Sequence, residues 1–273
     1  MKEIKRYIAL MLVFCLTFCC FVTLGAQDSE AASAKTAYVV TKIVVNDYDA
    51  DDDEEFDTSK IVYSCSYFKN GLMKSTVLKS DNGKLKLKTS FCYNKNKIKK
   101  SKAKIYYKGQ NINSDTKKTY TVNSKGMITK IKSYNEKGKL DDMMKYTWNK
   151  KGKVTSEKDY SSSGKLEEKK KYTYSSNGKI KSAKEYSANG KLEDTYKYSY
   201  KGNKQTITEY DSDGSVDSKT VVTFKNGNIM SIKKYDEDGR LENKATFTYK
   251  KIKTAKKKYV KGQQAILAGL NLL

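Results

Sequence analysis

Histidine and proline are absent from the 273 residues, tryptophan occurs once, and arginine only at Arg6 and Arg240. Without histidine the usual general base and the commonest metal ligand are lost together. With so few arginines, planar bidentate recognition of phosphate or carboxylate is nearly unavailable. Cysteine is also scarce, with five residues, of which Cys15, Cys19 and Cys20 fall in the N-terminal apolar segment. Neighbouring carboxylates such as Asp141-Asp142 and Glu167-Glu168 alternate between opposite faces of an extended chain, so the two members of a pair cannot act on one substrate. No catalytic residue, metal ligand or cofactor is expected, and the chain is read as a non-enzyme.

What is abundant is lysine, tyrosine and a returning glycine. Residues 60–273 carry 50 Lys+Arg against 20 Asp+Glu, whereas residues 35–59 carry two lysines and eight acids. From Gly126 the glycines recur at Gly138, Gly152, Gly164, Gly178, Gly190, Gly202, Gly214, Gly227 and Gly239, and every second one is 24–26 residues on. That period marks a tandem array with two turns in each unit. The turn glycines Gly138, Gly152, Gly164, Gly178, Gly190, Gly214, Gly227 and Gly239 mostly follow Asn, Asp, Lys or Ser. Asn-Gly and Asp-Gly supply the positive φ that tight hairpin turns demand.

Between turns the sequence alternates. Units open on Tyr120-Thr-Val, Tyr146-Thr-Trp, Tyr172-Thr-Tyr or Tyr198-Ser-Tyr, and their second strands close on Tyr134, Tyr160, Tyr186, Tyr210, Tyr235 and Tyr259. In the third unit Tyr172, Tyr174, Ile180, Tyr186, Leu192 and Tyr196 share one parity. Thr173, Lys179, Lys181, Glu185, Lys191 and Lys197 share the other. Period two with one apolar face predicts half-buried antiparallel strands, most of the tyrosines lying in the core. The fold class expected is all-β, as tandem β-hairpins forming one elongated, curved antiparallel sheet or solenoid.

Four segments follow. Residues 1–34 read as a signal peptide: a basic start, the apolar run Ile8 to Gly25, and Ala32-Ser-Ala34 before a cleavage point at Lys35. The alternative is retention of the apolar run as an anchor. Residues 35–59 give a capping strand, Ala37 to Val45, and an acidic loop. The run from Asp47 to Asp57 begins like a calcium loop, but Asp52 stands where the turn glycine belongs and Thr58 where the closing glutamate belongs. It is read as a solvated loop, with an acidic flap over the basic array as the alternative. Residues 60–259 form the array and residues 260–273 an apolar tail. Cys65 and Cys92 would survive cleavage of the signal, and an exported chain invites their pairing. They sit two strands apart in a meander, roughly 9–10 Å, whereas a bridge wants α-carbons within about 7 Å.

The strings Tyr235-Asp-Glu-Asp-Gly-Arg-Leu241, Tyr210-Asp-Ser-Asp-Gly214 and Tyr134-Asn-Glu-Lys-Gly-Lys-Leu140 resemble the YD repeats of Rhs and wall-associated bacterial surface proteins. MORN-type hairpin repeats are the second resemblance. The YD likeness covers residues 63–259 and implies a long curved sheet that serves as a shell or a carbohydrate-binding surface. This chain replaces Arg by Lys in most units and is too short to enclose a large cargo. Choline-binding wall repeats need paired Trp and Tyr cages that Trp148 alone cannot build.

The expected function is an exported, non-enzymatic repeat protein whose basic β-surface binds an anionic cell-wall or extracellular polymer. Lys153, Lys165, Lys179, Lys181, Lys191 and Lys197 are the candidate polyanion contacts. The alternative is a structural or protein-interaction module using the Tyr-lined face or a sheet edge. Nucleic acid is not expected as the primary ligand, nor is membrane association once the signal is removed. The expected location is the surface or surroundings of a bacterium.

Overall fold

The structure, a computed structural model, describes residues 36–48, 59–95, 97–112 and 116–253. The proposed signal segment, most of the acidic run and the apolar tail lie outside the described residues. Seventeen strands follow in chain order: β1 (Thr36–Asp47), β2 (Lys60–Tyr67), β3 (Met73–Ser80), β4 (Leu85–Asn94), β5 (Lys97–Tyr107), β6 (Gln110–Asn111), β7 (Thr116–Val122), β8 (Ile128–Tyr134) and β9 (Leu140–Trp148). Then come β10 (Val154–Ser161), β11 (Leu166–Tyr174), β12 (Ile180–Ser187), β13 (Leu192–Lys201), β14 (Lys204–Tyr210), β15 (Val216–Lys225), β16 (Asn228–Tyr235) and β17 (Leu241–Lys253).

Each strand pairs antiparallel with the next, as hairpin repeats require, but the sheet does not stay open. β1 pairs with β2 on one side and with β17 on the other, Val44 facing both Val62 and Thr246. β5 pairs with β7 past the two-residue β6, so sixteen strands close into a barrel. The segment read as a cap is therefore the strand that joins the first hairpin to the last. An open curved sheet or solenoid is corrected to a closed barrel, and the YD and MORN resemblances, which imply an open repeat array, fall with it. The physical reason is the exposed sheet edge. An open array leaves two rows of unpaired backbone groups and a bare apolar face, and closure removes both.

The longer turns repeat one geometry, while β13–β14 and β15–β16 are joined by two-residue turns. In the loop after β8 the Gly138 amide donates to the Asn135 carbonyl at 2.9 Å and the Asn135 amide to Lys139 at 3.0 Å. The Asn135 side chain accepts from the Lys137 and Lys139 amides. Gly138 has φ +72°, a left-handed conformation that completes a type I turn with a bulge.

The core lies inside the ring. Met73, Ile131, Ile180, Val222 and Ile232 are at most 1 % exposed, and they belong to one apolar cluster. A circular barrel of sixteen strands can enclose a water-filled channel; here packed side chains occupy the apolar interior. At one end the inward aromatics latch the wall. The Tyr174 hydroxyl donates to the Val154 carbonyl, that of Tyr249 to Ile229, and the Trp148 indole to Ile128, each reaching 20 residues back.

Face assignment in the third unit holds as far as Ile180 and then inverts. Tyr174 faces Ile180 but Thr173 faces Ser182, so Lys181 is an extra residue and Ala183 points inward in its place. Beyond that bulge Glu185 takes an inward position opposite Lys170, while Tyr186 faces Lys169 on the outside. Tyr134, Tyr160, Tyr186, Tyr210 and Tyr235 are thus corrected from core to outer surface, and Tyr259 lies outside the described residues. A one-residue insertion exchanges every following side chain between faces.

Cys65 and Cys92 are free thiols. Cys65 sits half-buried on β2 and Cys92 exposed on β4, consistent with the two-strand separation.

Candidate functional site

The barrel sorts its charges by radius. Paired residues share a face, so the register can be followed around the ring from any outward lysine. Lys79 faces Lys86, Lys88 faces Lys104, Lys102 faces Lys117, Lys171 faces Lys184 and Lys233 faces Lys244. Serine, threonine, tyrosine and a few apolar residues fill the remaining outward positions. Among the described residues no paired outward position carries Asp or Glu. The strand carboxylates sit inside, at the bulges or at strand ends.

The inside acids form a network at the barrel end opposite the aromatic latches. Lys170 on β11 lies in register with Glu157 on β10 and Glu185 on β12, and it is ion-paired to Glu185. Its ammonium also stands 4.4 Å from the centre of the Tyr196 ring, whose hydroxyl donates to Glu185 at 3.2 Å. A hydroxyl of Tyr172 bonds to Glu157. Burial would raise the Glu185 carboxyl, but Lys170 and hydrogen bonds from Glu168 and Tyr196 outweigh it and hold the group below its ordinary value. Glu168 then carries the proton: burial first, and the Glu185 charge second, push it up to about 8. Burial and Asp142 raise Asp159 to about 6, and burial with Glu185 and Glu209 raises Asp194 to about 6. The Ser218 hydroxyl donates to Glu209 at 2.7 Å. Glu168 thus shares a proton with Glu185, which is ion-paired to Lys170.

On the outside, the strand-ending tyrosines carry lysines over their rings: Lys117 over Tyr134 at 4.9 Å, Lys145 over Tyr160 at 4.4 Å, Lys171 over Tyr186 at 5.4 Å and Lys197 over Tyr210 at 4.3 Å. Each of these tyrosines is paired across a bulge with an apolar residue, Leu140, Leu166, Leu192 and Val216 respectively. The result is an outward Tyr and Leu belt edged by ammonium groups, a favourable arrangement for cation and ring.

The six candidate lysines are not brought together. Lys153 and Lys179 follow the turn glycines at the aromatic end, where they stand 5.5 and 4.7 Å from the Tyr174 and Tyr200 rings. Lys165 and Lys191 occupy the corresponding turns at the opposite rim. Lys181 is the bulge residue of β12, and Lys197 alone has a paired outward position, facing Ser182 and Thr208. A more continuous basic surface lies elsewhere: Lys130, Lys145, Lys158 and Lys169 face one another in turn across β8, β9, β10 and β11. Neither that row nor the acid network was found from spacing along the chain, because both are cross-strand contacts. The available signal was the residue before three of the strand-ending tyrosines: Asp159, Glu185 and Glu209 precede Tyr160, Tyr186 and Tyr210.

No family model matches the sequence, and no curated protein matches it. Among solved structures, a porin-like protein from Bacteroides uniformis is 10% identical with a TM-score of 0.39, over 77% of this chain and 96% of its own. A porin-like protein from Bacteroides vulgatus is 13% identical with a TM-score of 0.32, over 77% and 98%. A Bacteroides fragilis protein of unknown function is 14% identical with a TM-score of 0.30, over 42% and 93%. These likenesses are too distant to carry an argument about activity. The closed ring stands where a YD or MORN repeat array was expected, and that assignment is withdrawn.

Proposed function

We propose that this chain is an exported, non-enzymatic barrel whose outer surface binds an anionic cell-wall or extracellular polymer. The observation that carries the reading is the radial sorting of charge: lysine recurs on outward strand positions, and the strand carboxylates are turned inward or set at bulges and strand ends. Folding alone does not ask for this. Like charges directly opposite each other in a sheet are destabilising, and outward glutamates would neutralise them at no cost to the core. A polyanion supplies the missing counter-charge and releases its own counterions on binding.

A lipid-facing role does not fit the same surface. Lysine on the lipid face of a membrane barrel costs about 2–4 kcal/mol at the bilayer midplane, and here lysines occupy outward positions on successive strands. The protein-interaction reading loses the free sheet edge it called on, since the ring is closed, and keeps only the outward Tyr and Leu belt.

Retention on an immobilised anionic polymer, compared with a neutral polymer of equal length, tests the proposal. Retention on the anionic matrix alone, abolished as salt rises towards about 1 M where charges are screened within ~3 Å, is expected. Equal retention on both, or retention that survives salt, would move the assignment to the Tyr and Leu belt and a protein partner.

A further inference from the structure

The outward lysines are not equivalent. Elsewhere on the described strands, directly facing lysines come in twos: Lys79 with Lys86, Lys171 with Lys184, Lys201 with Lys204 and Lys233 with Lys244. Across β8, β9, β10 and β11 four stand in one row, Lys130 facing Lys145, Lys145 facing Lys158 and Lys158 facing Lys169. The row begins at Thr121 on β7 and ends at Tyr186 on β12. At one strand separation per step, roughly 4.8 Å, the four charges span about 14 Å at right angles to the strands.

The adjacent rows supply no carboxylate at a paired outward position. On one side lie Lys132, Met143 and Tyr160, and on the other Thr147, Ser156 and Lys171. The Lys169 ammonium is held below its ordinary value by Lys171 of the adjacent row first, then by desolvation and by Lys158 of its own row. Four like charges kept in direct register, on a scaffold that has carboxylates to spare and turns them inward, form a linear cationic track with its counter-charge left to a ligand.

Resting on the polyanion reading above, we propose that the Lys130, Lys145, Lys158 and Lys169 row is the docking track for a linear phosphodiester polymer lying across β8 to β11. Lysine binds phosphate as a point charge: each ammonium has three rotatable donors and meets phosphate oxygens without the fixed bidentate fork of arginine. A chain with one negative charge per repeating unit supplies the serial counter-charge that the row lacks.

The test compares the full chain with two triple variants, Lys145→Gln/Lys158→Gln/Lys169→Gln in the track and Lys86→Gln/Lys88→Gln/Lys104→Gln on β4 and β5. The probes are a glycerol-phosphate oligomer and single-stranded DNA of equal phosphate number, with polyglutamate as the carboxylate control. At about 0.7 counterions released per contacted phosphate of a single strand, the track variant should flatten the salt dependence by about 2 log units per log unit of salt. The β4 and β5 variant should flatten it less. Its ligand-free melting temperature should equal or exceed that of the parent, since repulsion is relieved.

The occupant is a polyol phosphate: loss of glycerol-phosphate binding in the track variant supports the track, and a loss confined to single-stranded DNA overturns it in favour of a nucleic acid. Equal loss in both variants overturns the track and leaves general polyanion binding standing. Preference for polyglutamate overturns the phosphodiester class. A parent protein that binds no polyanion overturns both this inference and the function on which it rests.

Discussion

Replacing Lys170 with methionine removes one charge from the barrel interior while keeping an unbranched, flexible side chain in its place. The lysine side chain is 9 % exposed and its partner Glu185 13 %. Glu157 lies on the opposite side of Lys170 and Glu168 bonds to Glu185, so the change leaves several carboxyls around a missing cation. Breaking a buried ion pair from one side costs about 3–5 kcal/mol. At about 2–4 °C per kcal/mol for a domain of this size, melting should fall by about 6–20 °C at pH 8. At pH 5 the cost should shrink to about 1 kcal/mol, that of a lost hydrogen bond, because an unpaired Glu185 takes up a proton instead of remaining charged. Thermal melts of parent and Lys170→Met protein at both pH values measure this directly. An equal loss at the two pH values would mean that Lys170 contributes packing rather than charge, and no loss at pH 8 would refute the network.

Four further outcomes are expected. Glu168, raised from its ordinary 4.5 to about 8, keeps in the folded state a proton that the unfolded chain releases; its contribution is complete below about 4.5 and is lost as pH climbs through 8. Glu168→Gln should therefore flatten the fall in stability between pH 5 and pH 8.5, and an unchanged slope would place the titration elsewhere. Gly178→Val should cost about 1–3 kcal/mol, because its φ is +80° and an added Cβ would stand 3.2 Å from Lys153, while Lys179→Val should cost less in the same melts. Val222→Ala, at a fully buried inward position, should lose about 2–4 kcal/mol; a loss under 1 would argue against a packed interior there. Thiol titration should find Cys92 reactive in the native protein and Cys65, whose thiol burial pushes up to about 12, reactive only after unfolding; a thiol count short of both would indicate a bridge.

The hairpins and their turns were legible because they are local: a glycine at positive φ and the alternation between turns both lie within a dozen residues. Closure was not, since the pairing that makes it joins β1 to β17, with Ile43 facing Phe247 from the other end of the array, and nothing in either strand names its partner. The faces failed for a sharper reason. Ile180 and Tyr186 have the same parity, and only the extra residue Lys181 sends one inward and the other outward. Thr129 on β8, Thr155 on β10 and Met230 on β16 are extra residues of the same kind, whereas β14 keeps one alternation from Lys204 to Tyr210. Where a strand carries such an extra residue its faces exchange before the last tyrosine, which turns Asp159 and Glu185 inward and Tyr160 and Tyr186 outward. The lysine track was hidden because its four members are 11 to 15 residues apart in sequence and meet only through the register.

Lysine footprinting by amine acylation and mass spectrometry, run on the native protein with and without glycerol-phosphate oligomer, tests the central claim most directly. Outward charge and inward acid predict that Lys145, Lys158 and Lys169 modify readily while Lys170 is spared, and that the oligomer protects the first three. Lys170 reacting as fast as Lys169, or an oligomer that protects no outward lysine, would contradict the account.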